Sequence, residues 1–469
     1  MGIARKFIKT SAVFFLGNTL TKLVSFLLIP LYTAKIAPES FGYYDLSISL
    51  INLAVPILFF QIWDGIFRFT FDFEEPLEKY KVISNGLFIH IFGVVVFVAF
   101  SFTFQYFFDI KNLYLVTLYG ILFSFQYYYN CVARSFSENT LVVLTGLINS
   151  FTSISINIFA IVVLGMGIES LYLSFIIGTI IQISILEWKF KLLYHFKIKS
   201  LSRSLMKMLL KFSLPISLIT VSYWLLSGLT KVTISNKLGL EENGIFSIAN
   251  RLTTVIILAV NVFQFAWYEM SYNLTNNSRK NEYYNLSINY ILKVIFLVGS
   301  LFLIILKILF PYLINEDYQE VFPIIPVVFI GVLINSYSSF AGTFFLAEKN
   351  STSLLFPTLF GAFANGVFLI IFIEPYGLMG AAISLTLAFL LTALLITLKI
   401  NKMYKIYLKF KTLFVGTFMT LLSVLTYYFI TDLLILYIGI FLLIFIFFIT
   451  FKEVIFMIYE TFLKKEKIT

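Results

Sequence analysis

Three cations sit inside apolar runs of this chain. The stretch "GLTKVTISNKLGLEENGIFSIANR" places Lys231 in one run and Arg251 in the next. Near the start, Lys22 lies about eleven residues into another run, ~16 Å along a helix. No acidic residue stands within a turn of it. A lysine or arginine at the centre of a bilayer costs roughly 2.5–3.5 kcal/mol on insertion scales, so such residues face a cavity or a partner. The chemistry open to them is electrostatic: they capture an anion, or they pair with a carboxylate on another helix. Lys231 lies near the end of its run and could also snorkel to the interface. Arg68 follows Asp64 by four residues, which predicts an i,i+4 ion pair. Arg134 closes a further run, where it serves as a topology anchor or as a cation at the mouth of a site.

The elements that must position these residues are legible in the composition. The 469 residues are 60% hydrophobic and only 12% charged, against about 25% charged in soluble domains. Runs of roughly 20 apolar residues recur along the whole length, the signature of membrane-spanning helices. They are continuous rather than alternating, which excludes a transmembrane barrel. Cys131 is the single cysteine, so no intramolecular disulfide forms, and His90 and His195 are too isolated for a metal or haem site. No cofactor, metal or catalytic group is expected. The net charge of +10 reports basic loops rather than a nucleic-acid partner.

Fourteen spans are expected, the first over 11–33 and the last over 433–451. Most of the 34 basic residues fall in alternate connections. That asymmetry predicts both termini on the cytoplasmic side. "KLLYHFKIKSLSRSLMKMLLK" and the tail "KEVIFMIYETFLKKEKIT" read as basic amphipathic segments resting on anionic lipid. The basic and then apolar N-terminus reads as a retained span.

One motif occurs twice. "KIAPESFGYYDLS" from Lys35 aligns with "KLGLEENGIFSIA" from Lys237, with Lys35/Lys237, Glu39/Glu241 and Gly42/Gly244 identical. "GIESLYLS" and "GLMGAAIS" repeat at a similar offset. The offset covers six spans, an even number, so the copies run parallel. The expected fold is all-α and polytopic, with about 14 transmembrane helices. Two parallel, pseudo-symmetric six-helix lobes surround a central cavity, and two C-terminal helices are appended. The expected divisions are an N-lobe over 1–190, a basic linker over 191–211, a C-lobe over 212–399, and the last two spans with their tail over 400–469. Parallel lobes that rock about a cavity are a transporter architecture.

At these residues the chain resembles the Wzx-type polysaccharide flippases of the MOP superfamily, which also holds the MATE exporters and lipid II flippases. The resemblance lies in "NTLTKLVSFLLIPLYTAKIAPESFGYYDLSISLI", "FQIWDGIFRF", "SLPISLITVSYWLLSGLTKVTISNKLGLEENGIFSIANRL" and "PYGLMGAAIS". It covers roughly the first 400 residues. It implies movement of undecaprenyl-pyrophosphate-linked oligosaccharide across the bacterial inner membrane for surface polysaccharide such as O-antigen. The partners it implies are that lipid-linked substrate, membrane lipids, and polysaccharide polymerase or ligase enzymes. One position departs from the family pattern: Thr230, not an acid, precedes Lys231.

Under that resemblance Lys22, Arg251, Lys231, Arg68 and Arg134 become candidate cations for the diphosphate, whose charge-assisted hydrogen bonds are strong. Gln126, Tyr128 and Asn130 in "FSFQYYYNCVAR" become candidate sugar contacts, although consecutive tyrosines on a helix point in different directions. Two other classes compete. A MATE-like exporter of cations would want unpaired acids deep in the membrane. A membrane polymerase or acyltransferase would want a large external loop or a His/Asp/Glu cluster.

Overall fold

The computed structural model describes residues 26–107, 110–274, 280–348, 350 and 352–463. Among them the regular elements are helices throughout. This follows from the apolar runs, because in lipid each backbone N–H and C=O must be satisfied within the segment. The helices are α1 (Ile29–Lys35), α2 (Pro38–Leu58), α3 (Ile62–Thr70), α4 (Pro76–Phe107), α5 (Leu113–Ser135), α6 (Asn139–Val162) and α7 (Glu169–Phe190). After short turns come α8 (Arg203–Lys237), α9 (Leu240–Leu274), α10 (Lys280–Leu313), α11 (Val321–Ala347), α12 (Thr352–Tyr404), α13 (Phe410–Phe429) and α14 (Leu433–Leu463).

Most expected spans map onto one helix each. The second span differs, because α2 and α3 are separate helices with a break between them. The eleventh and twelfth spans form the single stretch α12, bent at Gly377, whose φ of 54° and ψ of −133° suit glycine. The first expected span lies mostly outside the described residues, and Lys22 with it. Among the described residues nine helices are long and apolar enough to cross a membrane, α12 among them.

Packing divides the chain into two compact units, one running from Lys35 to Gly244 and the other joining Phe26–Ala34 to the residues from Ile245 onward. The seventh span, α8, falls in the first unit and packs on α2, α3 and α4, although the repeat assigns it to the second copy. The core of the first unit gathers Ile62, Ile66, Tyr128, Val132, Leu186 and Leu209. In the second unit α10 packs against α13 and α14 through Val294, Ile304, Met419, Leu436 and Leu443.

The repeated motif meets itself. In the first unit Gly42 of α2 lies directly on the first turn of α9. A methyl group on Gly42 would collide with the Leu240 carbonyl, and one on Gly244 would collide with the Pro38 carbonyl. Asn243, fully buried, donates from Nδ2 to the Gly42 carbonyl at 2.8 Å. The two glycines recur because two backbones cross there without room for a side chain.

A further echo appears only in three dimensions. Asn85 in α4 donates to the carbonyls of Lys81 (2.8 Å) and Ser200 (3.0 Å) and accepts from the Ser202 amide at 2.7 Å. Asn289 in α10 donates to the carbonyls of Asn285 (2.8 Å) and Tyr407 (3.1 Å) and accepts from the Lys409 amide at 2.9 Å. Each asparagine clamps the chain just before the next helix, α8 in one case and α13 in the other. The appended α13 thus follows the second copy as α8 follows the first. Asn85→Leu leaves the Ser200 carbonyl and Ser202 amide without their partner, at about 1–3 kcal/mol. The expected result is a lower thermal midpoint in detergent, with the helix content of the folded protein unchanged by circular dichroism.

Candidate functional site

The site is built on one face of α8. Ser213, Ser217, Thr220, Trp224 and Lys231 recur at intervals of three, four or seven residues, which places them on a common stripe. Each meets α2, α3 or the break between them. Ser213 Oγ lies where a Cβ on Gly65 would come within 2.5 Å of it. Ser217 donates to the Pro56 carbonyl at 2.6 Å, and Thr220 donates to Gln61 Oε1 at 2.8 Å. Trp224 Nε1 donates to the Ser49 carbonyl at 2.7 Å. Lys231 Nζ stands 2.7 Å from Asp45 Oδ2.

The break between α2 and α3 explains why this stripe is polar. Phe60 and Gln61 both adopt left-handed conformations, with φ of 55° and 47°. Such strain costs of order 1 kcal/mol or more per residue and persists only where its surroundings enforce it. The Phe60 amide turns to the Ile57 carbonyl at 3.2 Å. The Pro56 carbonyl loses that helical donor, and Ser217 supplies a replacement. Gln61 bridges the break, donating to Asp64 Oδ2 at 2.6 Å while accepting from Thr220.

Toward the Lys35 end of the same seam lies a cavity of about 250 Å³, lined by Asp45, Ser49, Asn52, Trp224, Ser227 and Lys231. Ligand pockets for whole drug-sized molecules are larger, roughly 300–1,000 Å³. This one suits a headgroup fragment such as a diphosphate or a single sugar ring. Its lining combines an indole, an amide, hydroxyls and one ion pair. The Lys231 and Asp45 side chains are 23% and 13% exposed, so the pair is mostly withdrawn from solvent. Lys231 points to Asp45 rather than away to the interface.

The other expected residues are placed differently. Arg68 is exposed and pairs with Asp72 at 2.7 Å, not with Asp64 as its spacing suggested. Asp64 lies in the first turn of α3, already bound by Gln61. Arg134 is exposed at the end of α5, within electrostatic range of Asp64. Arg251 belongs to the second unit, half-buried, with its guanidinium 5.5 Å from the Tyr32 ring centroid. Gln126 and Asn130 enter a polar network inside the first unit. Gln126 donates to Gln182 at 2.7 Å, Asn149 does the same at 2.7 Å, and Gln182 donates to Asn130 at 3.2 Å. Tyr128 is fully buried and donates to the Ile83 carbonyl at 2.9 Å. Among the described residues, Lys231 is the expected cation that lines this cavity. The sequence reading missed Asp45, Asn52 and Trp224 as its companions, and it passed over Lys293, buried in α10 with Nζ 5.1 Å from the Tyr290 ring. The polar spacing along α8 was the available signal.

The family model described as polysaccharide biosynthesis protein matches residues 7–275. The chain belongs to that family. The match includes the repeated motif in both copies and the whole α2–α8 seam. No curated protein matches the chain. Among solved structures, a lipid II flippase MurJ in an inward closed conformation is similar at a TM-score of 0.68 and 17% identity, over 97% of this chain and 99% of that one. An inward-facing multidrug resistance MATE transporter of the MOP superfamily is similar at 0.62 and 15%, over 82% and 98%. A MOP superfamily transporter from Pyrococcus furiosus, described as having a binding pocket of reverse polarity, is similar at 0.57 and 15%, over 85% and 95%. These likenesses establish the fold, which is that of the lipid II flippase and MATE structures. With nine described helices long and apolar enough to cross a membrane, the chain is a multi-pass membrane protein of that family and fold.

Proposed function

We propose that the protein flips undecaprenyl-pyrophosphate-linked oligosaccharide repeat units from the cytoplasmic to the outer leaflet of the bacterial inner membrane, by alternating access, for surface polysaccharide assembly. Family membership supports the glycan and the fold supports the flipping. The observation that carries the substrate class is the Lys231–Asp45 pair lining a headgroup-sized cavity on the α2–α8 seam. A cation held inside a membrane segment, beside an indole and an amide, suits a phosphate bound to a sugar. The basic connections orient both termini toward the cytoplasm. The Lys35 and Lys237 ends of α1 and α8 then face outward, and Arg134 and Arg68 face the cytoplasm, where the diphosphate arrives. Polymerase or ligase enzymes would receive the flipped unit.

A cation exporter would need a carboxylate open to its cargo. Here Asp45 is held by Lys231 and Asp64 by Gln61.

The test uses a host deleted for its own polysaccharide flippase and supplied with the glycan genes of the source strain. Wild type is expected to restore surface glycan. Lys231→Ala at equal expression is expected to leave the lipid-linked precursor trapped in the inner leaflet. Full surface glycan from Lys231→Ala, or efflux of cationic dyes by wild type with the precursor still trapped, contradicts the proposal.

A further inference from the structure

The Lys231–Asp45 pair has no evident structural purpose. Two charges withdrawn from water lose their hydration, and apolar residues of the same volume commonly hold helices together as well or better. The seam is already fastened by Ser217, Thr220 and Trp224. Lys231 lies six residues before the end of α8, about 9 Å along the helix, within snorkelling distance of the interface. Its ammonium turns instead to Asp45, at 2.7 Å. Asp45 Oδ2 is sealed from solvent and has no aligned hydrogen-bond donor. Charge alone holds the contact, and the cavity opens beside it.

We propose that Asp45 is a built-in competitor for the headgroup: it occupies Lys231 in the empty transporter and sets the charge that a ligand must carry to displace it. The inference rests on the proposed function and names the residue that selects the substrate. A carboxylate carries one negative charge. An ordinary phospholipid phosphate is also a singly charged diester, so it gains little over Asp45 when it takes Lys231 and leaves the carboxylate uncompensated. A lipid-linked diphosphate diester carries two charges on adjacent phosphates. It presents more acceptor oxygens to the ammonium and more charge than the carboxylate it displaces. Bulk phospholipid surrounds the protein in great excess, so discrimination between one phosphate and two is the selectivity a flippase of this kind requires. Specificity of this sort is obtained by weakening the wrong ligand, here through a resident anion.

The test measures binding of a short-chain prenyl diphospho-N-acetylglucosamine to the full-length protein in nanodiscs. One set of discs is phosphatidylcholine, and the other contains equal phosphatidylglycerol. Wild type is expected to bind the probe with the same affinity in both. Asp45→Asn is expected to bind it roughly tenfold tighter in phosphatidylcholine, a factor equivalent to about 1.4 kcal/mol, and to lose most of that gain when phosphatidylglycerol is present. Lys231→Gln and the Asp45→Asn/Lys231→Gln double variant are expected to bind the probe weakly and alike. Asp45→Glu, which keeps the charge, should retain the wild-type insensitivity to phosphatidylglycerol.

Unchanged affinity and unchanged lipid insensitivity in Asp45→Asn overturn the competitor role and leave the proposed function standing. Full probe binding by Lys231→Gln overturns the cavity as the headgroup site. Should Asp45→Asn fail to fold, wild type still decides the matter: phosphatidylglycerol that competes with the probe in wild-type discs shows that no discrimination exists.

Discussion

Gly42→Ala is expected to abolish transport and to lower the thermal midpoint of the purified protein. A single methyl group does this because of what it meets. Its contacts are the Leu240 carbonyl and the Gly244 amide, which are backbone atoms and cannot rotate away. The helices must separate, and with them goes the Asn243 hydrogen bond to the Gly42 carbonyl. Overpacking of this kind costs about 1–3 kcal/mol, and the lost buried hydrogen bond adds about 1 kcal/mol more. Gly244→Ala acts on the same crossing from the other side, through the Pro38 carbonyl. The double variant is therefore expected to cost clearly less than the sum of the two singles, as residues sharing one contact do. Gly146→Ala is the control. A methyl group there meets nothing within 4 Å, so helix propensity alone should leave it neutral or stabilised by up to about 1 kcal/mol. Thermal unfolding in detergent and surface-glycan export read both effects. Wild-type behaviour of Gly42→Ala would show that the crossing is looser than it is here.

The second large effect separates stability from function at the ion pair. Lys231→Ala leaves Asp45 mostly buried and uncompensated. Losing one partner of a fully buried pair costs about 3–5 kcal/mol, and the partial exposure of this pair places the loss toward the lower end of that range. Asp45→Asn/Lys231→Gln removes both charges and keeps both shapes, so most of the lost stability is expected to return. Transport is not expected to return with it, because the Lys231 ammonium that lines the cavity is gone. A structural ion pair would behave otherwise: the double variant would recover export together with its thermal midpoint. Parallel measurement of both quantities for the three proteins distinguishes these outcomes.

Much of the architecture was legible because lipid imposes few options. Continuous apolar runs could be nothing but helices, and the Gly42/Gly244 echo revealed the repeat, but that the two glycines lie against each other emerges only from the packing. The break at Phe60–Gln61 was not legible. Neither residue is glycine or proline, and the nearest signal was Pro56, one turn earlier. The break depends on Ser217 and Thr220, which lie far away in sequence. The partner of Arg68 was ambiguous for a simple reason. "DGIFRFTFD" offers an aspartate four residues to either side, and only the start of α3 at Ile62 assigns Asp64 to Gln61 and leaves Asp72 to Arg68. The three consecutive tyrosines diverge as helical geometry requires. Tyr127 is exposed, Tyr128 is sealed in the core and Tyr129 donates to Glu187 at 2.9 Å. Lys231 was visible as an anomalous cation, but its anion stands on a helix 186 positions away in the numbering. Pairings of that range follow from packing and leave no local pattern.

The most direct test of the central claim is reconstitution. Purified protein in proteoliposomes is supplied with a fluorescent undecaprenyl-pyrophosphate-linked oligosaccharide in one leaflet, and its arrival in the other is followed by an impermeant quencher. Wild type is expected to move the lipid, and the stably folded Asp45→Asn/Lys231→Gln protein is expected to be inactive. Equal transport by the two proteins would contradict a cationic headgroup site at Lys231, and no transport by wild type would contradict the flippase itself.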